Sequence, residues 1–110
     1  MEWIAIESVN QVRDIREQQG LSLLFKHSTR CSISAMVKRR FEKDWEQLPA
    51  DLPLYYLDLI AFREISSEVA NIFFVHHESP QLLLIENGEC ILDLSHGDVT
   101  VEEVLSVLAN

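Results

Sequence analysis

The stretch from Leu21 to Leu48, LSLLFKHSTRCSISAMVKRRFEKDWEQL, decides how the chain folds. Its opening run, Leu21–His27, is short and mostly apolar, which predicts a buried strand. After a polar turn, apolar residues recur at steps of three and four and predict one face of an amphipathic helix. These residues are Ile33, Val37, Phe41, Trp45 and Leu48. Cys31 is therefore expected where a strand leads into the first turn of a helix.

That position has a chemical consequence for Cys31. The first amides of a helix have no partner inside the helix, and the helix dipole places partial positive charge there. A thiol at this point ionises more easily, and the thiolate is the reactive form of cysteine. The neighbouring Arg30 adds a full positive charge. Cys31 is thus a candidate nucleophile.

Composition narrows the class of protein. The 110 residues predict a single domain, residues 1–110, with one core. The formal net charge of -9 argues against nucleic-acid binding, which needs clustered Lys and Arg. No apolar run reaches the roughly 18 residues of a membrane span. Met1-Glu2-Trp3 lacks the basic flank of a signal peptide, and the two distant cysteines form no secreted disulfide framework. We expect a cytoplasmic protein.

The segments before the central stretch and after its helix predict further elements. Trp3–Ile6 predicts a short strand, and Ser8 with Gln11 forms a capping-box pattern. The helix that follows has an inward stripe and a glycine at its expected end: Val9, Val12, Ile15 and Gly20. A second buried strand is expected at Leu54–Leu59. The helix after it, beginning between Ala61 and Ser66, has its apolar positions at Ile65, Val69 and Ile72.

The last third of the chain predicts a hairpin and a helix. Asn87-Gly88 separates the apolar runs Gln81–Glu86 and Glu89–Leu94, and Asn-Gly is a strong hairpin signal because both turn residues need positive φ. Thr100 and Glu103 then form a second capping-box pattern. The inward positions of the final helix are Val101, Val104, Leu105 and Leu108.

The predicted order is βαβα, then βα, then ββα. Strands that alternate with helices indicate parallel pairing with right-handed crossovers, and the hairpin adds antiparallel strands. The expected fold class is α/β, with a central mixed sheet covered by helices on both faces. Strands buried on both faces are apolar throughout, as these are.

This element order, with a cysteine at the strand-to-helix turn and Ser79-Pro80 before the hairpin, resembles the thioredoxin fold. More closely, the segments Phe25–Ser34 and His77–Gln81 resemble the monothiol bacilliredoxins, redox proteins of the bacillithiol system. The resemblance implies that Pro80 has a cis peptide bond and faces Cys31. It also implies reversal of mixed disulfides between bacillithiol and protein thiols. The family usually has Pro after the cysteine, where this chain has Ser32.

The residues themselves favour a cycle that uses one cysteine. Position four of the Cys-x-x-Cys pattern is Ser34, which cannot form a disulfide, although its hydroxyl could bond the Cys31 sulfur. A mixed disulfide on Cys31 must then be resolved by an outside thiol, or by Cys90 if that is within reach. Cys90 lies in an apolar strand and is expected to fill the core. Ser32 should loosen the first helical turn slightly, and its hydroxyl could donate to the thiolate.

A small thiol that bears carboxylates needs cationic or amide partners. The candidates from the sequence are Lys26, Arg30, Arg63 and His77, with the backbone of Ser79 able to pair with a bound peptide or thiol. The expected support for the active site is Thr29, Arg30, Ser32, Ser79 and Pro80. No permanently bound cofactor and no metal site are expected, because the Cys and His residues lack metal-ligand spacing.

Three functions remain open at this stage. The first is a monothiol oxidoreductase that removes bacillithiol from S-thiolated client proteins, with the small thiol as co-substrate. The second is a redox enzyme that uses another thiol or a protein reductant. The third is a thioredoxin-fold adaptor or chaperone that binds peptides beside the proline and does no redox chemistry. In each case we expect a monomer or weak dimer that binds neither nucleic acid nor membrane.

Overall fold

A computed structural model describes residues 1–109, which form five strands and four helices. The strands are β1 (Trp3–Ala5), β2 (Leu21–His27), β3 (Leu54–Asp58), β4 (Gln81–Glu86) and β5 (Glu89–Ser95). The helices are α1 (Val9–Glu17), α2 (Ser32–Asp44), α3 (Arg63–Phe73) and α4 (Val101–Leu108). Short 3-10 turns follow α2, at Trp45–Gln47, and β5, at His96–Asp98.

The five strands form one mixed sheet in the order β1-β3-β2-β4-β5. β1 and β2 pair with β3 in parallel, while β4 pairs with β2 and β5 in antiparallel fashion. β2 is the central strand, and all of its residues from Ser22 to His27 are buried. The expected α/β class and element order are confirmed.

Helices cover both faces of this sheet. One core lies between the sheet and helices α2 and α4, and it takes Leu23 and Phe25 from β2. The other lies under α1 and α3 and takes Leu24 from the same strand. Successive side chains of a strand point to opposite faces, so an apolar run such as β2 serves two cores at once.

Helix α2 differs from its predicted form at both ends. Ile33 was expected on the inward face but is 55% exposed, and the buried residues are Ser34, Val37 and Phe41. Spacings of three and four place these three residues on one stripe of the helix, one position away from Ile33. The predicted helix continued to Leu48, whereas the α-helix ends at Asp44 and a 3-10 turn carries the chain onward.

The connections around α1 and the hairpin follow the turn signals, with one change. Helix α1 carries the predicted capping box but ends at Glu17, before Gly20. Gly20, at φ +86°, instead lies just before β2 and donates its N–H to Asn87 Oδ1 at 2.7 Å. Asn87 and Gly88 both have positive φ between β4 and β5, so the predicted hairpin is confirmed.

The helices of the described chain are short. None of them, in residues 1–109, combines the length and the apolar character that crossing a membrane requires.

Candidate active site

The carboxyl ends of β2 and β3 meet the amino end of β4 at one edge of the sheet. Lys26 near the end of β2 pairs with Gln81, the first residue of β4, so Ser79–Pro80 precede β4 at this same edge. The backbone N–H of Leu59, just after β3, donates to the carbonyl oxygen of His27 at 3.0 Å. Cys31 follows β2 by four residues, so it lies at this same edge.

Cys31 is the N-cap residue of α2, with extended backbone angles of φ -110° and ψ 118°. Its N–H donates to the carbonyl oxygen of Ser28, and its own carbonyl accepts the first helical hydrogen bond from Ala35. The side chain is partly exposed and its thiol makes no capping hydrogen bond. At an N-cap, an oxygen side chain normally accepts hydrogen bonds from the amides of the first turn. Cys31 supplies no such oxygen, so the first turn of α2 begins without a side-chain cap.

The peptide bond between Ser79 and Pro80 is cis, as the resemblance implies. Pro80 is buried, and its carbonyl oxygen accepts a hydrogen bond from His96 N–H at 3.0 Å. Gln81, which is fully buried, holds the preceding loop because its Nε2 donates to the carbonyl oxygen of His76 at 2.9 Å. The segment before β4 is thus fixed from both sides.

The role of Gln81 was missed in the sequence. The signal was present, since Gln81 is a polar residue that opens an otherwise apolar strand directly after a proline. A buried amide must find hydrogen-bond partners, and these are the atoms of the adjacent loop.

Ser34 makes hydrogen bonds other than the one expected to the Cys31 sulfur. Its side chain is fully buried, and its hydroxyl oxygen lies 2.7 Å from His27 Nδ1 and accepts from Ser28 N–H at 3.1 Å. Among the described hydrogen bonds of Ser34, none reaches the Cys31 sulfur. The hydroxyl instead ties the end of β2 to the first turn of α2. It therefore fixes the loop that carries Cys31.

His27 stands at the centre of this buried contact. Its ring stacks on Phe25, with centroids 5.9 Å apart, and lies against Tyr56. Burial, with a further contribution from the Lys38 charge, lowers the pKa of His27, while Asp58 and Glu42 act in the opposite direction. The His27 ring is therefore neutral at pH 7. Its hydrogen bond with the Ser34 hydroxyl does not require a charge on the ring.

The other residues predicted to support the site divide by exposure. Thr29, Arg30 and Ser32 are exposed around Cys31, and Ser79 is partly buried. Arg30 thus presents its charge to solvent beside the thiol.

The structure brings together three of the four candidates for ligand binding. Lys26 is fully buried in β2, and its Nζ lies 3.1 Å from Nδ1 of the exposed His77. Burial lowers the pKa of Lys26 from 10.5 to about 8. His77 and Arg63 line one cavity of about 340 Å³ between α3 and the loop before Pro80. Arg30 is not among the lining residues of that cavity.

Cys90 lies at the opposite end of the sheet from Cys31. It pairs with Ile85, which pairs with Ser22 at the start of β2. From Ser22 to His27 a strand rises about 17 Å, at roughly 3.3 Å per residue. Burial raises the pKa of the Cys90 thiol to about 11, and the thiol contacts the carbonyl oxygen of Leu92. Cys90 packs against the core that lies under α1 and α3, which agrees with its expected role of filling the core.

The cysteines and histidines also bear on metal binding. Within residues 1–109, no three His, Cys, Asp or Glu side chains are grouped closely enough to hold a metal ion.

A family comparison agrees with this geometry. The model of the family described as "Monothiol bacilliredoxin BrxC" matches residues 4–104 of the chain. The chain belongs to the monothiol bacilliredoxin family. It therefore has the thiol redox function of that family. The position of Cys31 at the N-terminus of α2 agrees with this function.

Solved structures similar to this bacilliredoxin confirm the fold. A candidate oxidoreductase with a thioredoxin fold is 31% identical, with a TM-score of 0.84 over 96% of this chain and 92% of its own. Thioredoxin from Trypanosoma brucei brucei is 15% identical, with a TM-score of 0.81 over 99% and 93% of the two chains. Thioredoxin from Malassezia sympodialis is 19% identical, with a TM-score of 0.75 over 98% and 89%. The latter two show the fold alone.

Proposed function

We propose that this protein is a monothiol thiol–disulfide oxidoreductase that removes bacillithiol, or a similar low-molecular-weight thiol, from mixed disulfides on client proteins in the cytoplasm. The observation that carries the proposal is the position of Cys31 as the N-cap of α2, at the sheet edge that also carries the cis proline. A thiolate there accepts hydrogen bonds from the free amides of the first helical turn.

The reaction consists of two thiol–disulfide exchanges. The Cys31 thiolate attacks the sulfur of the small thiol in the client's mixed disulfide, the client sulfur leaves as a thiolate, and it then takes up a proton. Cys31 now carries the small thiol. The thiolate of a second small thiol attacks the sulfur of the first, which forms the small-molecule disulfide and releases the Cys31 thiolate. No cofactor is needed, because the small thiol supplies the electrons.

The positions of Ser34 and Cys90 support a cycle with one cysteine. The Ser34 hydroxyl is engaged by His27 and Ser28, and serine forms no disulfide. Cys90 is at the other end of the sheet with a raised pKa. An outside thiol is then the resolving group for the mixed disulfide on Cys31.

The proposal is tested by mass spectrometry of the intact protein after incubation with bacillithiol disulfide or glutathione disulfide. We expect one adduct, located on Cys31, and its release by excess free thiol. Cys31→Ser should abolish both the adduct and the removal of the small thiol from a mixed-disulfide client. Cys90→Ser is the matched control and should retain both. An adduct on Cys90 alone, or full activity of Cys31→Ser, would overturn the assignment.

A second candidate function is peptide binding without redox chemistry. It is favoured by one observation: Ile33 and Met36, on the first turns of α2 beside Cys31, are 55% and 54% exposed. Such a surface suits an apolar peptide segment. Peptide binding of this kind would survive in the Cys31→Ser variant. It would be favoured if that variant still binds client proteins and if the wild-type protein forms no adduct with the small thiol.

A further inference from the structure

A buried lysine without a carboxylate partner lies beneath the active-site edge. The side chain of Lys26 is fully buried, and its Nζ contacts Nδ1 of His77 at 3.1 Å. None of the ion pairs among residues 1–109 includes Lys26. Burying an ammonium without an opposite charge is costly, and an apolar side chain of similar size would suit a strand interior better. The lysine therefore calls for a role beyond packing.

The contact fixes which nitrogen of His77 carries the proton. An ammonium group only donates hydrogen bonds, so Nδ1 must accept, and the proton of the neutral ring is on Nε2. His77 is exposed, and no described hydrogen bond within residues 1–109 engages its Nε2–H. The positive charge of Lys26 polarises the ring and strengthens this donor. The buried charge can thus act at the surface although Lys26 itself is inaccessible.

The charges around His77 keep the ring in this donor form. Burial and then the Lys26 charge lower the pKa of His77 most, Glu78 acts in the opposite direction, and His76 adds the smallest lowering. The ring is therefore neutral at pH 7. Ser66 Oγ lies 3.5 Å from the same Nδ1 and leaves Nε2 unaffected.

The cavity that His77 lines presents hydrogen-bond donors and positive charge. Its other polar lining residues are Arg63, Ser66, Ser67 and Asn71, and no Asp or Glu lines it. In a chain of net charge -9, this cavity of about 340 Å³ is lined by a guanidinium and by no carboxylate. Arg63 is also the first residue of α3, where the helix dipole adds partial positive charge.

This cavity is linked to the edge that carries Cys31. Leu59, which lines it, donates its backbone N–H to the carbonyl oxygen of His27, the last residue of β2. His77 itself lies three residues before the cis proline. A small molecule attached to the Cys31 sulfur and a group bound in the cavity therefore share one end of the sheet.

We propose that the cavity between α3 and the cis-proline loop binds a carboxylate of the small thiol that Cys31 carries, with Arg63 and His77 Nε2–H as direct partners and Lys26 acting through His77. The inference rests on the proposed function and adds to it the chemical group by which the thiol is selected. Lys26 is then a positioning residue, because it fixes the tautomer and strengthens the donor of His77.

The first experiment measures binding without activity. Succinate, a small dicarboxylate, is titrated into the Cys31→Ser protein while the imidazole nitrogens of His77 are observed by NMR. We expect Nδ1 without a proton, Nε2 with one, and saturable shifts on addition of succinate. When Arg63→Gln or Lys26→Met is combined with Cys31→Ser, the affinity for succinate should fall by about tenfold, which is the value of one charge-assisted hydrogen bond. Lys43→Met, on an exposed position of α2, is the control and should bind as before.

The second experiment measures selectivity. Exchange rates are compared for client mixed disulfides with bacillithiol, which bears carboxylates, and with cysteamine, which bears none. In Lys26→Met and Arg63→Gln the ratio of kcat/KM for bacillithiol to that for cysteamine should fall by about tenfold through a higher KM for bacillithiol. Lys43→Met should keep the wild-type ratio.

The two experiments separate this inference from the proposed function. A proton on Nδ1 of His77, no succinate binding at this site, or an unchanged ratio in the variants would overturn the carboxylate site. Failure of both mixed disulfides to react would overturn the oxidoreductase proposal. The succinate titration would still test whether the cavity binds a carboxylate.

Discussion

At the scale of single residues, Lys26 separates what a sequence can specify from what it cannot. Its place beside the polar turn was enough to make it a candidate for ligand binding. Its burial and its contact with His77 were not predictable, because the partner lies 51 residues away. Ser34 shows the same limit, since its spacing from Cys31 was clear but its hydrogen bonds depended on His27 and Ser28.

A stability measurement checks the cost of the Lys26 charge. The fall of the Lys26 pKa from 10.5 to about 8 corresponds to roughly 3 kcal/mol. Lys26→Met removes this cost and one hydrogen bond worth about 1 kcal/mol, so the free energy of unfolding should rise by about 2 kcal/mol at pH 7. Urea denaturation followed by circular dichroism measures the change.

The pH dependence of that gain follows from the direction of the pKa change. Between about pH 8 and 10.5 the unfolded state keeps the proton of Lys26 longer than the folded state, so wild-type stability rises with pH. The advantage of Lys26→Met should be largest below pH 8 and shrink toward pH 10.5. Lys43→Met, on the exposed face of α2, should change stability by less than about 0.5 kcal/mol. A destabilised Lys26→Met at pH 7 would contradict the argument.

At the scale of the elements, the hairpin between β4 and β5 was predictable and its attachment was not. Asn87-Gly88 identified the turn, because both residues need positive φ. The mutual hydrogen bonds between Asn87 and Gly20, which join the turn to the start of β2, depend on the packed fold. Helix α2 was predicted by its period, and Val37 and Phe41 are buried as expected, but in the first turn Ser34 is buried instead of Ile33.

Two glycine substitutions separate the strain of a positive φ from the close approach between the hairpin turn and α1. Gly20 and Gly88 both have φ above +80°, a conformation that costs an alanine roughly 1–2 kcal/mol. A Cβ on Gly20 meets no atom within 4 Å, whereas one on Gly88 would overlap the backbone carbonyl of Arg16 in α1. Gly88→Ala should therefore lower the free energy of unfolding by clearly more than Gly20→Ala. Equal losses in urea denaturation would mean that α1 moves aside without cost.

At the scale of the whole molecule, the order of elements was enough to predict the mixed sheet, and the strand-to-helix turn was enough to predict Cys31 at a helix N-terminus. The expectation that Pro80 faces Cys31 came from the resemblance to the thioredoxin fold and not from the order of the elements. The cavity beside α3 was not predictable, since it depends on how Arg63 and His77 approach each other across the fold. The sequence also left the reach of Cys90 open.

The different surroundings of Cys31 and Cys90 predict the order in which the two thiols react with an alkylating agent. At pH 7 the Cys90 thiol, with a pKa of about 11, is almost wholly protonated, whereas Cys31 is at a helix N-terminus and partly exposed. One equivalent of iodoacetamide should therefore alkylate Cys31 well before Cys90, as measured by peptide mapping. In urea the two thiols should react at similar rates, which is the control. Equal labelling of the native protein would count against the assignment of Cys31 as nucleophile.

The two tryptophans of the chain give this fold a built-in optical probe. Trp3, on edge strand β1, stacks on Phe25 and lies with its ring centroid 5.3 Å from that of Trp45, just beyond α2. Its indole Nε1 donates to the carboxylate of Glu42 on the same helix at 2.6 Å. Emission from the unlabelled protein thus originates from one place. It reports whether the first strand remains attached to the helix whose opposite end carries Cys31.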